Sequence, residues 1–179
     1  MKQLIEKQVA RRELSDNVKL GSGGIREIEF IVQAYQLIRG GQDRRLQTPR
    51  LLEVLPLLAG GRLLPLATVS ELGAAYRYLR SIENRIQMIA DQQTHQLPAD
   101  EANRARLVRA MGKASWAELL AELDAVRATV RRHFAALVFA VAEERLHAVT
   151  AAAAELGPLW DSDISVEALG ESLRRAGVS

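Results

Sequence analysis

A chain of 179 residues, 48% hydrophobic, carries enough apolar side chain to bury a core, which excludes intrinsic disorder. It has no cysteine, which excludes disulfides, thiolate zinc sites and cysteine nucleophiles and fits a reducing compartment. Lys and Arg number 24 against 22 acids, and the arginines are interleaved with Glu and Asp, so a net charge of +2 describes a salt-bridged surface and no nucleic-acid-binding block.

No apolar run is long enough to cross a bilayer, and the opening MKQLIEKQVARREL is charged where a signal peptide is apolar, so a cytoplasmic, membrane-free chain is expected. Lys2 to Leu14 reads as a helix with Leu4, Ile5 and Val9 on its apolar side, broken by Ser15, Asp16 and Asn17. Val18-Lys19-Leu20 is the one strand candidate, and Gly21-Ser22-Gly23-Gly24 follows it at once. The next helix places Ile25, Ile28, Ile31 or Val32, Tyr35 and Ile38 on one stripe and stops at a left-handed turn through Gly40-Gly41. After a polar loop, Thr48 as N-cap and Pro49 at the first helical position start a leucine-rich helix. Pro56 should kink or shorten that helix, and Gly60-Gly61 should end it.

The strongest amphipathic pattern runs from about Leu66 to Gln92, with Leu72, Tyr76, Leu79, Ile82, Ile86 and Ile89 on one face and Arg77, Arg80, Asn84 and Arg85 opposite. Asp100 caps a helix that reaches Met111, and Gly112 ends it. Ser115 and Glu118 form a capping box for a long helix whose stripe is Trp116, Leu119, Leu123, Val126, Val130, Phe134, Leu137 and Val141. The alanine-rich stretch Ala148–Glu155 extends that helix, with a break placed between Glu143 and Thr150 and an end at Gly157-Pro158. A last helix, Ser165–Ala176, closes at Gly177, with little of the chain left to pack against. The fold class is therefore mainly α, a helical bundle with at most one short strand. A lone strand is unstable, which points to a sheet outside these residues.

The run from Lys19 to Glu29 is the sharpest chemical signal. Glycines before a helix start can cradle a phosphate on backbone amides. The spacing is neither a P-loop nor a dinucleotide fingerprint, and Glu27 and Glu29 in the first turn repel a bare anion. Those carboxylates can instead serve the helix dipole, pair with Lys19 or Arg26, or help hold Mg²⁺ beside a nucleotide. A tight structural turn is the competing reading. His95 is remote in sequence from His133 and His147 and has no ligand spacing for zinc.

VKLGSGGIREIEFIVQ (18–33) resembles a motif of the bacterial glutamine synthetase adenylyltransferase/adenylyl-removing enzyme family. QLIRGG (36–41), YRYLRSIENRIQ (76–87) and DQQTHQLP (91–98) follow in the family's order, and the resemblance extends over about residues 17–137. It implies a nucleotidyltransferase-type catalytic domain followed by a helical bundle, the pair occurring twice in one polypeptide. Such a domain holds two Mg²⁺ ions on an Asp-x-Asp pair and a third carboxylate, after a Gly-Ser turn. Asp161-Ser162-Asp163 has no such turn before it and reads as a helix-capping loop, so this chain is expected to be a piece of the enzyme with no catalytic residue of its own.

Arg26-Glu27 before Ile28-Glu29-Phe30 looks like the N-terminal, adenylyl-removing half, since the C-terminal half usually reads Asp-Ile-Glu-Phe. The related PII uridylyltransferases tend to read Lys-Glu-Gly where Lys19-Leu20-Gly21 stands here. The resemblance implies that Lys19, Gly21, Gly23, Gly24, Arg26, Glu27 and Glu29 lie beside the active site; Arg80, Glu83 and Asn84 are either contacts to nucleotide or substrate or a mutually hydrogen-bonded surface stripe. It divides the chain into the tail of the catalytic domain (1–24), the bundle (25–147) and the start of a linker (148–179). It implies ATP or ADP and Mg²⁺ for the whole enzyme, with glutamine synthetase and the PII signalling protein as partners. A helical protein–protein interaction module without a nucleotide role, or a PII uridylyltransferase, is the alternative.

Overall fold

A computed structural model describes residues 14–90 and 93–160, with the backbone alone for 90 and 140–160. The body of the helix expected at 2–14, the side chain of Val141, the Asp161-Ser162-Asp163 loop and the helix at 165–176 fall outside the described residues. The helices in chain order are α1 (Ile25–Arg39), α2 (Leu51–Gly60), α3 (Leu66–Ala90), α4 (Glu101–Ala110) and α5 (Trp116–Trp160), with a short 3-10 turn at Arg44–Leu46. The protein is a mainly α bundle. No helix among the described residues is long and apolar enough to cross a membrane. The chain divides into two compact units, Met1–Ala135 and Ala136–Ser179, and the described part of the second is the continuation of α5.

The core of the first unit follows the apolar stripes. Ile25, Ile28, Ile31 and Val32 of α1 are buried, as are Val54, Leu55 and Leu58 of α2 and Leu72, Leu79, Ile82 and Ile86 of α3. Leu119, Leu123 and Val130 contribute the inner face of α5, and Leu107 that of α4. The stripe of α1 ends sooner than its spacing suggests: Ile38 is exposed and Tyr35 half-buried. Phe30 packs edge to face on Phe134 of α5, with ring centroids 5.6 Å apart.

Several local expectations are corrected. Leu14–Asp16 are still helical, so the break comes at Asn17. Val18-Lys19-Leu20 is a turn, because the Asn17 side-chain oxygen accepts from the Lys19 and Leu20 amides and bends the chain. Its partner lies within the chain: Asn17 forms a single antiparallel bridge with Gln96, flanked by Val18 N–H to His95 O at 2.9 Å and Leu97 N–H to Asp16 O at 3.0 Å. Gly40 stays right-handed (φ −63), and its carbonyl accepts from Gln47 Nε2. Arg50 is the N-cap of α2; Thr48 lies two residues earlier, its hydroxyl accepting from the Arg50 amide.

Pro56 sits inside α2 without ending it, on an exposed position where it forfeits one backbone donor. Beyond α2 the left-handed residue is Arg62 (φ 56), in place of either glycine. Asp100 caps α4, accepting from Asn103 N–H at 2.8 Å, and Gly112 takes the left-handed position after it (φ 66). At α5 the Ser115 hydroxyl accepts from Glu118 N–H, and Glu118 reaches back to the Ala114 amide, one residue earlier than in a standard capping box. α5 continues through Glu143–Thr150 and through Gly157-Pro158 to Trp160.

Candidate functional site

Residues 14–27 form a turn closed on itself. The amide of Gly21 donates to Asn17 O, Gly24 to Gly21 O, Ile25 to Val18 O, Arg26 to Lys19 O and Glu27 to Gly24 O, at 2.8–3.2 Å. The donors that a helix start could offer a phosphate are therefore spent on carbonyls of the same turn. The tight structural turn, one of the two readings open from sequence, is the conformation adopted.

Gly23 is left-handed (φ 74), and a Cβ there would lie 2.4 Å from the Arg127 carbonyl of α5. A Cβ on Gly21 would meet Asn17 O at 2.4 Å and Leu14 O at 2.5 Å. Both glycines are required by close backbone approach.

α5 clamps this turn through Arg127, which is buried. Its Nη1 donates to Ser15 O at 2.6 Å and its Nη2 to Asn17 O at 3.0 Å, while Nε is enclosed without a hydrogen-bond partner among the described residues. Burial lowers its pKa below the ordinary arginine value, with Asp124 and Asp16 pulling the other way.

A second polar cluster joins α1, α3 and the loop after α3. Arg80 donates from Nη2 to Glu29 at 2.9 Å, from Nη1 to Glu83 at 2.7 Å, and from Nε to the Tyr76 hydroxyl at 3.1 Å. Glu83 is 2% exposed. Its Oε1 lies 2.9 Å from His95 Nδ1, off the line of a good hydrogen bond, and neither atom has another partner among the described residues.

The sequence candidates therefore separate. Arg80, Glu83 and Glu29 come together; Asn84 is exposed and makes no hydrogen bond in that cluster. Arg26 is exposed, 3.8 Å from Glu29. Lys19 is half-buried, and Glu27 has one enclosed oxygen without a hydrogen-bond partner among the described residues. Arg26 and Glu29 lie outside the row of Ile25, Ile28, Ile31 and Val32.

Residues 1–138 match a family model described as GlnD PII-uridylyltransferase. The chain belongs to that family. It is also 45% identical over 179 residues to the bifunctional glutamine synthetase adenylyltransferase/adenylyl-removing enzyme of Pseudomonas aeruginosa. It is 42% identical over 177 residues to the enzyme of the same name from Pseudomonas putida. Each alignment takes in 99% of this chain and 18% of the relative, so the chain spans less than a fifth of the curated relatives it matches.

The glycine turn, the Arg80 cluster and the Arg127 clamp all lie within the matched span. Sequence reasoning missed Arg127, and it weighed His95 only as a zinc ligand, not as a neighbour of Glu83. Arg127 sits between the buried Leu123 and Val130 of α5, and a cation on a buried stripe is the signal that exposes such a clamp. His95 carried no comparable signal, because its partner Glu83 lies on α3 and the two meet only through tertiary folding.

Proposed function

We propose that this chain is the helical region of a bifunctional glutamine synthetase adenylyltransferase/adenylyl-removing enzyme, from its N-terminal, adenylyl-removing half. The observation that carries this reading is the 45% identity across 99% of the chain to the Pseudomonas aeruginosa enzyme. The whole enzyme transfers AMP from ATP to a tyrosine of glutamine synthetase, and this half removes it by phosphorolysis, releasing ADP, in the cytoplasm. The PII protein and glutamine set the balance between the two reactions. Residues 1–24 then form the tail of the catalytic domain, 25–147 the bundle and 148–179 the start of a linker.

In this reading the bundle is a support. The closed glycine turn and the Arg127 clamp fix the path of the chain at the junction of catalytic domain and bundle. Lys19, Arg26, Glu27 and Glu29 stand beside the active site at that junction, and Arg80 and Glu83 hold Glu29 in place.

The described residues do not suit the Mg²⁺ that nucleotidyl transfer uses. No group of three or more His, Asp or Glu among them can hold a metal ion, and Glu29 is already taken by Arg80. No chemical step is assigned to them.

The family description also favours a second reading, a PII uridylyltransferase. The longer polypeptide should be assayed with adenylylated glutamine synthetase, phosphate and Mg²⁺, and separately with PII and UTP. ADP release in the first assay and no uridylyl transfer in the second is expected; the reverse outcome sinks the proposal. The 179-residue chain alone should release no ADP, and turnover at the intact enzyme's rate would show that it holds catalytic residues.

A further inference from the structure

α4 has a second face. Leu107 points into the core, whereas Glu101, Arg104, Val108 and Arg109 line a cleft of about 880 Å³ that Lys113 and Trp116 complete. The cleft is shallow and open to solvent, so a ligand there would be held by its charges more than by enclosure. Arg104 is held in place: its guanidinium lies 5.2 Å from the centre of the Trp116 ring, and its Nε donates to Pro98 O at 3.0 Å. Its two terminal nitrogens make no hydrogen bond among the described residues, and neither does the side chain of Arg109.

The neighbouring acids are largely occupied. Glu118 accepts from the Ala114 amide, and Glu122 accepts from both Lys113 and the Tyr78 hydroxyl. Glu101 is the one acid among the residues that line the cleft.

We propose that this cleft binds a small phosphate-bearing ligand. Three cations line it against one acid, and two of those cations, Arg104 and Arg109, form no ion pair among the described residues. A guanidinium offers paired N–H donors that match phosphate oxygens, and a guanidinium already held against an indole loses little freedom on binding. Trp116, half-buried under Arg104, lies close enough to the cleft to report on what binds there. The cleft shares no residue with the glycine turn, the Arg80 cluster or the Arg127 clamp.

Pyrophosphate, ADP and adenosine should each be titrated into the chain, following Trp fluorescence and heat. Quenching by both anions is expected, weakened by salt, abolished in Trp116→Phe, and shifted to about tenfold weaker affinity in Arg109→Glu. Arg109 is exposed, so this variant should melt like the parent, and Arg104→Gln provides a second test of the same cleft. ADP binding more tightly than pyrophosphate assigns a nucleotide, and equal binding assigns the bare phosphates; both support the site. Adenosine binding as well as ADP, no anion binding up to about 5 mM, or unchanged affinity in Arg109→Glu overturns it.

Discussion

Arg80 and Glu29 lie 51 residues apart in sequence and meet at 2.9 Å, so that one guanidinium bridges α1 and the buried Glu83 of α3. The arrangement gives two carboxylates one shared cation. Arg80→Ala should destabilise the fold by roughly 2–3 kcal/mol, less than for a fully buried pair because Arg80 is partly exposed. Most of that cost comes from leaving Glu83 buried without its counter-charge. Urea midpoints for Arg80→Ala, Glu83→Gln and the double variant check it; additive effects would mean that the pair is not coupled.

Two left-handed glycines should respond differently to alanine. At Gly112 (φ 66) a Cβ meets nothing within 4 Å, so only backbone strain is added, about 1–2 kcal/mol. At Gly23 (φ 74) the same change also drives a methyl group into the Arg127 carbonyl. Gly23→Ala should therefore cost clearly more, roughly 3 kcal/mol or above, unless α5 moves away. Thermal melts of the two variants side by side decide the matter, and equal losses would contradict the packing described.

Acid should loosen the link between α3 and α5. Glu71 accepts from His133 and Arg132, and these partners, His133 first, hold its carboxyl below the usual value of 4.5. A lowered carboxyl pKa contributes stability that is present above the unfolded value and is lost as pH falls through the folded one. Stability should therefore decline from about pH 4.5 downward, and Glu71→Gln should flatten part of that decline. Urea titrations between about pH 3 and pH 6 measure it, and identical slopes for parent and variant would remove Glu71 as a source.

The amphipathic helices were legible because their apolar residues recur at helical spacing. Leu72, Leu79, Ile82 and Ile86 are buried as their stripe requires. The caps at Asp100 and Ser115 were legible because their oxygens act within the same turn. Val18-Lys19-Leu20 misled because a short apolar segment before glycines looks like a strand, whereas the Asn17 side chain bends it and the bridge to Gln96 is a tertiary event. The stripe holding Arg80 and Glu83 could be read from spacing, but their link to Glu29 could not, since nothing local pairs α1 with α3.

Arg127 supports the sharpest claim about the glycine turn. Its guanidinium satisfies the carbonyls of Ser15 and Asn17, and its own backbone carbonyl abuts Gly23, so a single residue of α5 fixes both sides of the turn. Arg127→Met keeps most of the volume but leaves both carbonyls without this donor, and should destabilise the fold by roughly 2–4 kcal/mol. Arg127→Lys should recover part of that loss, because an ammonium can donate to either carbonyl but lacks the planar fork that reaches both. Global stability alone cannot separate a clamp from ordinary core packing. The deciding measurement is amide hydrogen exchange at Gly24, Ile25 and Arg26, whose donors close the turn. Those amides should exchange faster in Arg127→Met than in Leu119→Ala, a core variant on the same helix that is expected to lose comparable stability. If both variants speed exchange at these amides equally, the turn holds itself and Arg127 is only a buried side chain.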